Sequence, residues 1–162
     1  MEKNSIEIPL HNVTATNYNA ILRRLYLRRN WWWIAAIIVA SLAVTVIDER
    51  LMIAGLLTFF VVMPMVFALI YFYYGLTLES RFSVLEKTIT ADDNGMCLNF
   101  TNEKMEAQQL PWQRFTRFTV EKRHILLHLD RPYQFLAIPL SAFNGDKNLL
   151  RDFATLAQSN IG

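Results

Sequence analysis

Few residues in this 162-residue chain have both the type and the spacing for chemistry. Asp92, Asn94 and Glu103 fall on the first, third and twelfth positions of a calcium-loop template, where side-chain oxygens would wrap a hard cation. The template fails in its middle, because Met96 and Cys97 stand where an oxygen ligand and a glycine are needed. Asp92–Gly95 therefore reads as a β-hairpin turn. His124 and His128 share one face of an expected strand, but four residues at roughly 3.3 Å each put them about 13 Å apart, too far to share a metal. His11 has no partner near it in sequence, and the single cysteine, Cys97, excludes an internal disulfide and a cysteine cluster for zinc. No G-x-S-x-G, Cys-His pair or phosphate-cradling glycine loop occurs. The expectation is a protein that is not an enzyme, with no catalytic residue, no cofactor and no metal.

Charge supplies the one candidate site. The formal net charge is only +2, yet Arg23, Arg24, Arg28 and Arg29 stand close together, with no acidic residue between Glu7 and Asp48. Basic and acidic side chains balance over residues 79–162, so the excess is confined to the stretch before the apolar segment. That placement fits contacts with anionic lipid headgroups, each arginine contributing about 1 kcal/mol near such a surface. Arg114, Phe115, Arg117, Phe118, Lys122 and Arg123 interleave charge with aromatics. On alternating strands this reads as core-facing rings with solvated charges between them, and no nucleic-acid partner is expected.

The elements that must position these residues are organised around Trp31–Leu76. This stretch is two apolar arms of roughly 25 Å and 39 Å as helices, joined by Asp48, Glu49 and Arg50, against a bilayer core of about 30 Å. Two spans with so short a connector predict a tight antiparallel transmembrane hairpin. The arginines before the first arm, with Arg81 and Lys87 after the second, are expected to set both termini in the cytoplasm. Trp31–Trp33 and Tyr71–Tyr74 then form aromatic belts at one interface. The polar start and the lack of a small-residue cleavage site point to a retained anchor and not a cleaved signal peptide. No ionisable side chain lies inside either arm, which argues against a transport path. Ala36, Ala40 and Ala43 form a small-residue ridge for close helix packing, expected within the hairpin, with packing between copies as the alternative, and Pro64 is expected to kink the second arm.

Before the arms, Ile6, Ile8 and Leu10 alternate as in a strand. Tyr18, Ile21, Leu22 and Leu25 then recur at helical spacing behind Thr16 as N-cap. That basic helix either lies at the membrane surface or packs its apolar stripe on the soluble domain. Beyond the arms the period changes. Phe82–Thr90, Met96–Thr101, a segment ending in Leu110, then Thr116–Lys122, His124–Asp130 and Gln134–Leu140 read as antiparallel strands. Asp146 then caps a helix carrying Leu149, Leu150, Phe153, Leu156 and Ala157. Trp112, Phe118, Leu127, Leu129, Ile138 and Phe153 are the expected core. The division is 1–30 (N-terminal strand and amphipathic basic helix), 31–76 (two-span hairpin) and 77–162 (small α+β cytoplasmic domain).

Leu110–Lys122 (LPWQRFTRFTVEK), His124–Leu129 (HILLHL) and Ala137–Phe143 (AIPLSAF) carry a pattern of Trp, hydrophobic-Glu pair, apolar strand and Ile-Pro-x-x-x-Phe. In this the chain resembles the YcxB-like bacterial membrane proteins. The resemblance covers most of the chain beyond about Thr14 and implies a pleckstrin-homology-like antiparallel barrel or sandwich with a C-terminal helix, and no assigned activity. The family often has a basic residue after the Pro, where this chain has Leu140 and Ser141, so the resemblance gives no support to anion binding at that turn. Phosphoinositide capture by such folds uses basic residues around the first hairpin. Taken as Asp92–Gly95, that hairpin is acidic and argues against headgroup capture there. The expected function is a tethered binding or scaffolding module for a cytoplasmic protein partner or another copy of itself. An anionic-lipid-responsive regulator using Arg23, Arg24, Arg28 and Arg29 is the alternative.

Overall fold

A computed structural model describes residues 5–47, 52–102 and 105–161. The chain divides into two compact units. One is built from residues 1–18 and 77–162, and the other from residues 19–76.

The first unit is two antiparallel sheets and a helix. One sheet runs in the order β1 (Ile6–His11), β2 (Lys87–Asp92), β3 (Gly95–Phe100) and β4 (Gln108–Pro111). The other is β5 (Phe115–Val120), β6 (His124–Leu129) and β7 (Phe135–Pro139), followed by a 3-10 turn at Leu140–Phe143 and helix α4 (Lys147–Asn160). The strand expected at Ile6–Leu10 is thus present. It pairs with β2 through Ile6↔Ala91 and Ile8↔Ile89, although the whole second unit lies between these strands in sequence. Asp92–Gly95 closes the β2–β3 hairpin, as its turn residues indicate. Alternation buries Ile89, Ala91, Met96 and Leu98 on one face of β2 and β3. Of the expected core, Trp112, Leu127, Ile138 and Phe153 are buried, while Phe118 and Leu129 are partly buried against it.

The strands β6 and β7 do not alternate: Ile125–Leu127 and Phe135–Ile138 are buried throughout. A strand covered on both faces reads as a continuous apolar run. One cover is helix α3 (Leu78–Val84), where the Ser83 hydroxyl donates to Phe135 O (3.3 Å) and accepts from Ala137 N (3.1 Å). Another is Tyr18, stacked on Phe135 at 4.6 Å. The strand expected over Phe82–Thr90 therefore starts only at Lys87, and Phe82–Val84 belong to α3. Thr77 Oγ1 caps α3 by accepting from Ser80 N, and the buried Lys87 amine donates to Ser83 O (3.1 Å) and Leu85 O (3.4 Å), where the helix leaves carbonyls unpaired. Asp146 caps α4 as expected, accepting from Asn148 N and Leu149 N.

Helix α1 (Ala15–Ile47) begins in the first unit and continues into the second. Its cap is Thr14, whose Oγ1 accepts from Asn17 N at 3.3 Å, and not Thr16. The backbone leaves helical geometry at Asn30 (φ −115°, ψ 17°), at the boundary between arginines and tryptophans. Helix α2 (Met52–Ile70) continues through Pro64 into a π-helical turn at Tyr71–Gly75. Gly55–Gly75 is the one helix among the described residues long and apolar enough to cross a membrane, with 21 residues, a mean hydropathy of 2.3 and 12% of its apolar window buried. Ala36, Ala40 and Ala43 are exposed, so the ridge expected to pack within the hairpin is not covered. The Asp48–Arg50 connector lies outside the described residues.

Candidate functional site

Three of the four arginines singled out by charge come together. Arg23, Arg24 and Arg28 line a groove of about 720 Å³ with Ala20, Leu27 and Phe67. Helical spacing explains the grouping, because Arg24 and Arg28 follow each other on one face and Arg23 and Leu27 flank them. Phe67 belongs to the membrane-length helix, so the groove sets guanidinium groups beside an apolar wall. Arg29 is exposed and does not line it. The only acidic residues of the sequence in 19–76 are Asp48 and Glu49. Such a groove can hold a phosphate group with hydrocarbon against Phe67.

A second concavity lies within the first unit. Asn12, Val13, Thr14 and Asn17 form one wall, Lys122, Arg123 and His124 a second, and Pro139, Leu140 and Ser141 a third, enclosing about 380 Å³. The second and third walls are tied by Leu140 N donating to Arg123 O (2.9 Å) and by the β-ladder pair His124↔Pro139. The first wall is fixed by Val13 N donating to Ser83 O (3.2 Å) and by the Thr14 cap of α1. Sequence reading missed this site, since it took Lys122 and Arg123 as solvated charges and gave the Leu140–Ser141 turn no role. The signal available was two adjacent cations in a tight turn. What they face depends on β1 folding back from the other end of the chain.

The remaining chemical candidates have structural roles. Asp92 Oδ1 accepts from Asn94 N (2.9 Å) and Gly95 N (3.1 Å), which makes Asp92 the pivot of the expected turn. Asp92 O also accepts from Trp112 Nε1 at 2.7 Å. Glu103, the twelfth position of that template, lies outside the described residues. Among the described residues no three His, Cys, Asp or Glu side chains group closely enough to hold a metal ion. Cys97 is a free, half-buried thiol near Asn99 Oδ1. His128 is half-buried, and burial followed by the charge of Arg117 holds its imidazole below the ordinary range. His11 is buried, with Nδ1 2.7 Å from Pro9 O and Nε2 without a partner among the described residues. Burial pushes it down to about 4, helped by the charge of Lys87 and opposed by the bond to Pro9. Burial likewise lowers the Lys87 amine to about 8.

The fold and these concavities define an α+β protein with an apolar helical unit inserted after its first strand and a cationic groove on that insertion. Residues 91–154 match the model of the YcxB-like protein family, so the chain carries a YcxB-like domain there, as the Trp112 to Phe143 pattern implies. No curated protein and no solved structure matches this chain.

Proposed function

We propose that this is a two-span protein of a bacterial inner membrane, with both termini in the cytoplasm, holding a pleckstrin-homology-like domain as a tethered binding module. One observation carries the reading: β1, before the apolar helices, is hydrogen-bonded to β2, after them. Two paired strands lie on one side of a bilayer, so the chain between them crosses an even number of times. If Gly55–Gly75 crosses once, at roughly 31 Å of helix against a core of about 30 Å, the apolar half of α1 supplies the return. The exposed Trp31, Trp32 and Trp33 and the exposed Tyr71, Phe72 and Tyr73 support an aromatic belt. A four-stranded sheet, a three-stranded sheet and a closing helix, in chain order, support the pleckstrin-homology-like reading.

The surface offered by such a module is the edge strand β5. Its outer edge pairs with no strand among the described residues, and Thr116, Arg117 and Val120 are exposed along it. An open edge accepts an added strand from a partner protein or a second copy, and tethering raises the effective concentration of partners in the same layer. The test has two parts. Reporter fusions after Ile161 and inside Asp48–Arg50 should report cytoplasm and exterior respectively, and a C-terminus facing outward would sink the topology. Site-specific photocrosslinkers at Thr116 and Thr119 should trap one defined protein or the chain itself, and their silence in native membranes would remove the β5 edge as the binding surface.

A second reading rests on the groove of Arg23, Arg24, Arg28 and Phe67. Three arginines grouped beside a membrane-length helix support an anionic-lipid-responsive regulator. In that case reconstituted protein should bind anionic lipid with steep salt dependence, and that dependence should flatten when Arg23, Arg24 and Arg28 become glutamine.

A further inference from the structure

The β5–β6 turn fixes which groups face outward on the edge of β5. Glu121 N donates to His124 O (2.8 Å), and the ladder sets Thr119 against Leu126 and Arg117 against His128. In an antiparallel ladder, residues that bond one neighbouring strand alternate with residues that do not. Arg117, Thr119 and Glu121 therefore turn their backbone groups toward β6, and Phe118 and Val120 turn theirs away from it, along the edge that pairs with no strand among the described residues. Side chains alternate as well. Arg117, Thr119 and Glu121 share one face, where the charges of Arg117 and Glu121 both act on the His128 imidazole. The Thr119 hydroxyl on that face is buried and has no hydrogen-bond partner among the described residues. On the other face Phe118 is only partly buried and Val120 is 53% exposed.

A second copy of the same edge answers these features together when a two-fold axis passes through Thr119. Phe118 of each copy then lies opposite Val120 of the other as a hydrogen-bonded pair, so the outward N–H and C=O groups bond across the axis. The two side chains of each such pair cover one another on one face. On the other face Arg117 lies opposite Glu121 of the second copy, and the two Thr119 hydroxyls meet at the axis. Among registers that set outward-facing residues against each other, an axis at Val120 would oppose Arg117 to Arg123, and an axis at Phe118 would oppose it to Thr119. Only the Thr119 register gives Arg117 an acid. We propose that the chain self-associates by antiparallel β5–β5 pairing in the register centred on Thr119. The proposal rests on β5 being the binding edge of the module, and it assigns that edge to a second copy. A charge on an edge strand discourages pairing with strands at large. Here its complement stands on the same strand, so the charge selects for self.

The test is oxidative crosslinking of the full-length protein in native membranes, in a Cys97→Ser background that removes the single cysteine. Thr119→Cys sets two Cα atoms about 4.5 Å apart across the axis, within the range that a disulfide bridges, and should give a covalent dimer. Thr116→Cys is exposed on the same edge, but its two copies lie roughly 20 Å apart at about 3.3 Å per residue, so it should give none. In the Thr119→Cys protein, Arg117→Glu alone or Glu121→Arg alone sets like charges opposite each other and should lower the dimer yield roughly tenfold. Arg117→Glu and Glu121→Arg combined in one chain restore opposite charges and should restore the dimer. Co-expression of the two single reversals should do the same as a mixed dimer. Either restoration shows that the loss came from charge and not from misfolding. Absence of a Thr119→Cys dimer, an equal yield from Thr116→Cys, or a yield indifferent to the reversals overturns the proposal. If photocrosslinkers on β5 then trap a different protein, the edge remains a binding surface and only its assignment to a second copy fails.

Discussion

Acidification from about pH 7.5 to about pH 5 should weaken the first unit by about 2 kcal/mol through His11 alone. The imidazole sits on β1 opposite Lys87 on β2, in the strand pair that closes the chain around the inserted helices. Its Nδ1–H donates to Pro9 O, which leaves Nε2 unprotonated, buried and without a donor among the described residues. A second proton would create a buried N–H with nothing to accept it, next to the Lys87 amine. The pKa accordingly falls from 6.5 to about 4 on folding. Between those values the unfolded chain holds the proton and the folded chain does not, so stability is present above about pH 6.5 and is lost as pH falls toward 4. At pH 5 the unfolded form gains about 30-fold in weight from protonation and the folded form almost nothing, which gives the 2 kcal/mol figure. The perturbation that isolates the effect is His11→Asn, which keeps an amide N–H for Pro9 O and cannot titrate. Urea unfolding of the full chain in detergent micelles, followed by the near-ultraviolet dichroism of the buried aromatic rings, should show a midpoint that falls over this range in wild type. The fall should be much smaller in His11→Asn. Parallel pH dependence in the two proteins would refute the reasoning, whatever the absolute stability of the variant.

Three further outcomes follow from packing and capping. Phe153→Ala removes a fully buried ring set against Phe143 at 5.8 Å and should cost on the order of 3 to 5 kcal/mol in the same unfolding assay. Gly95→Ala would bring a Cβ within 2.5 Å of Leu110 O and 2.8 Å of Pro111 Cα. It should therefore separate β3 from β4 and lower the midpoint by about 2 kcal/mol or more, seen as faster hydrogen exchange at Gln108–Leu110. Asp146→Ala deletes a cap that accepts from two backbone N–H groups at 2.8 and 3.1 Å, and should cost about 1 kcal/mol with fraying confined to the first turn of α4.

Local chemistry along the chain determined several features without help. The capping Asp146 and the Asp92–Gly95 turn are set by side-chain hydrogen bonding over a few residues, and this acts the same way in any fold. The apolar run of α2 and the arginine excess were equally legible, because both are properties of composition over a window. Tertiary structure decided what no window contains. Phe82–Val84 alternates like a strand but is helix, since Ser83 and Lys87 find backbone partners only once β7 and the end of α3 are in place. Ile125–Leu127 and Phe135–Ile138 are buried on both faces because α3 and Tyr18 cover them from distant parts of the chain. The pairing of β1 with β2 across the insertion joins residues roughly eighty positions apart, with the loop's closure entropy offset by the buried contacts of Ile8 and Ile89. The same closure sets Asn12–Asn17 against Lys122–Arg123 and turns two solvated cations into one wall of a pocket.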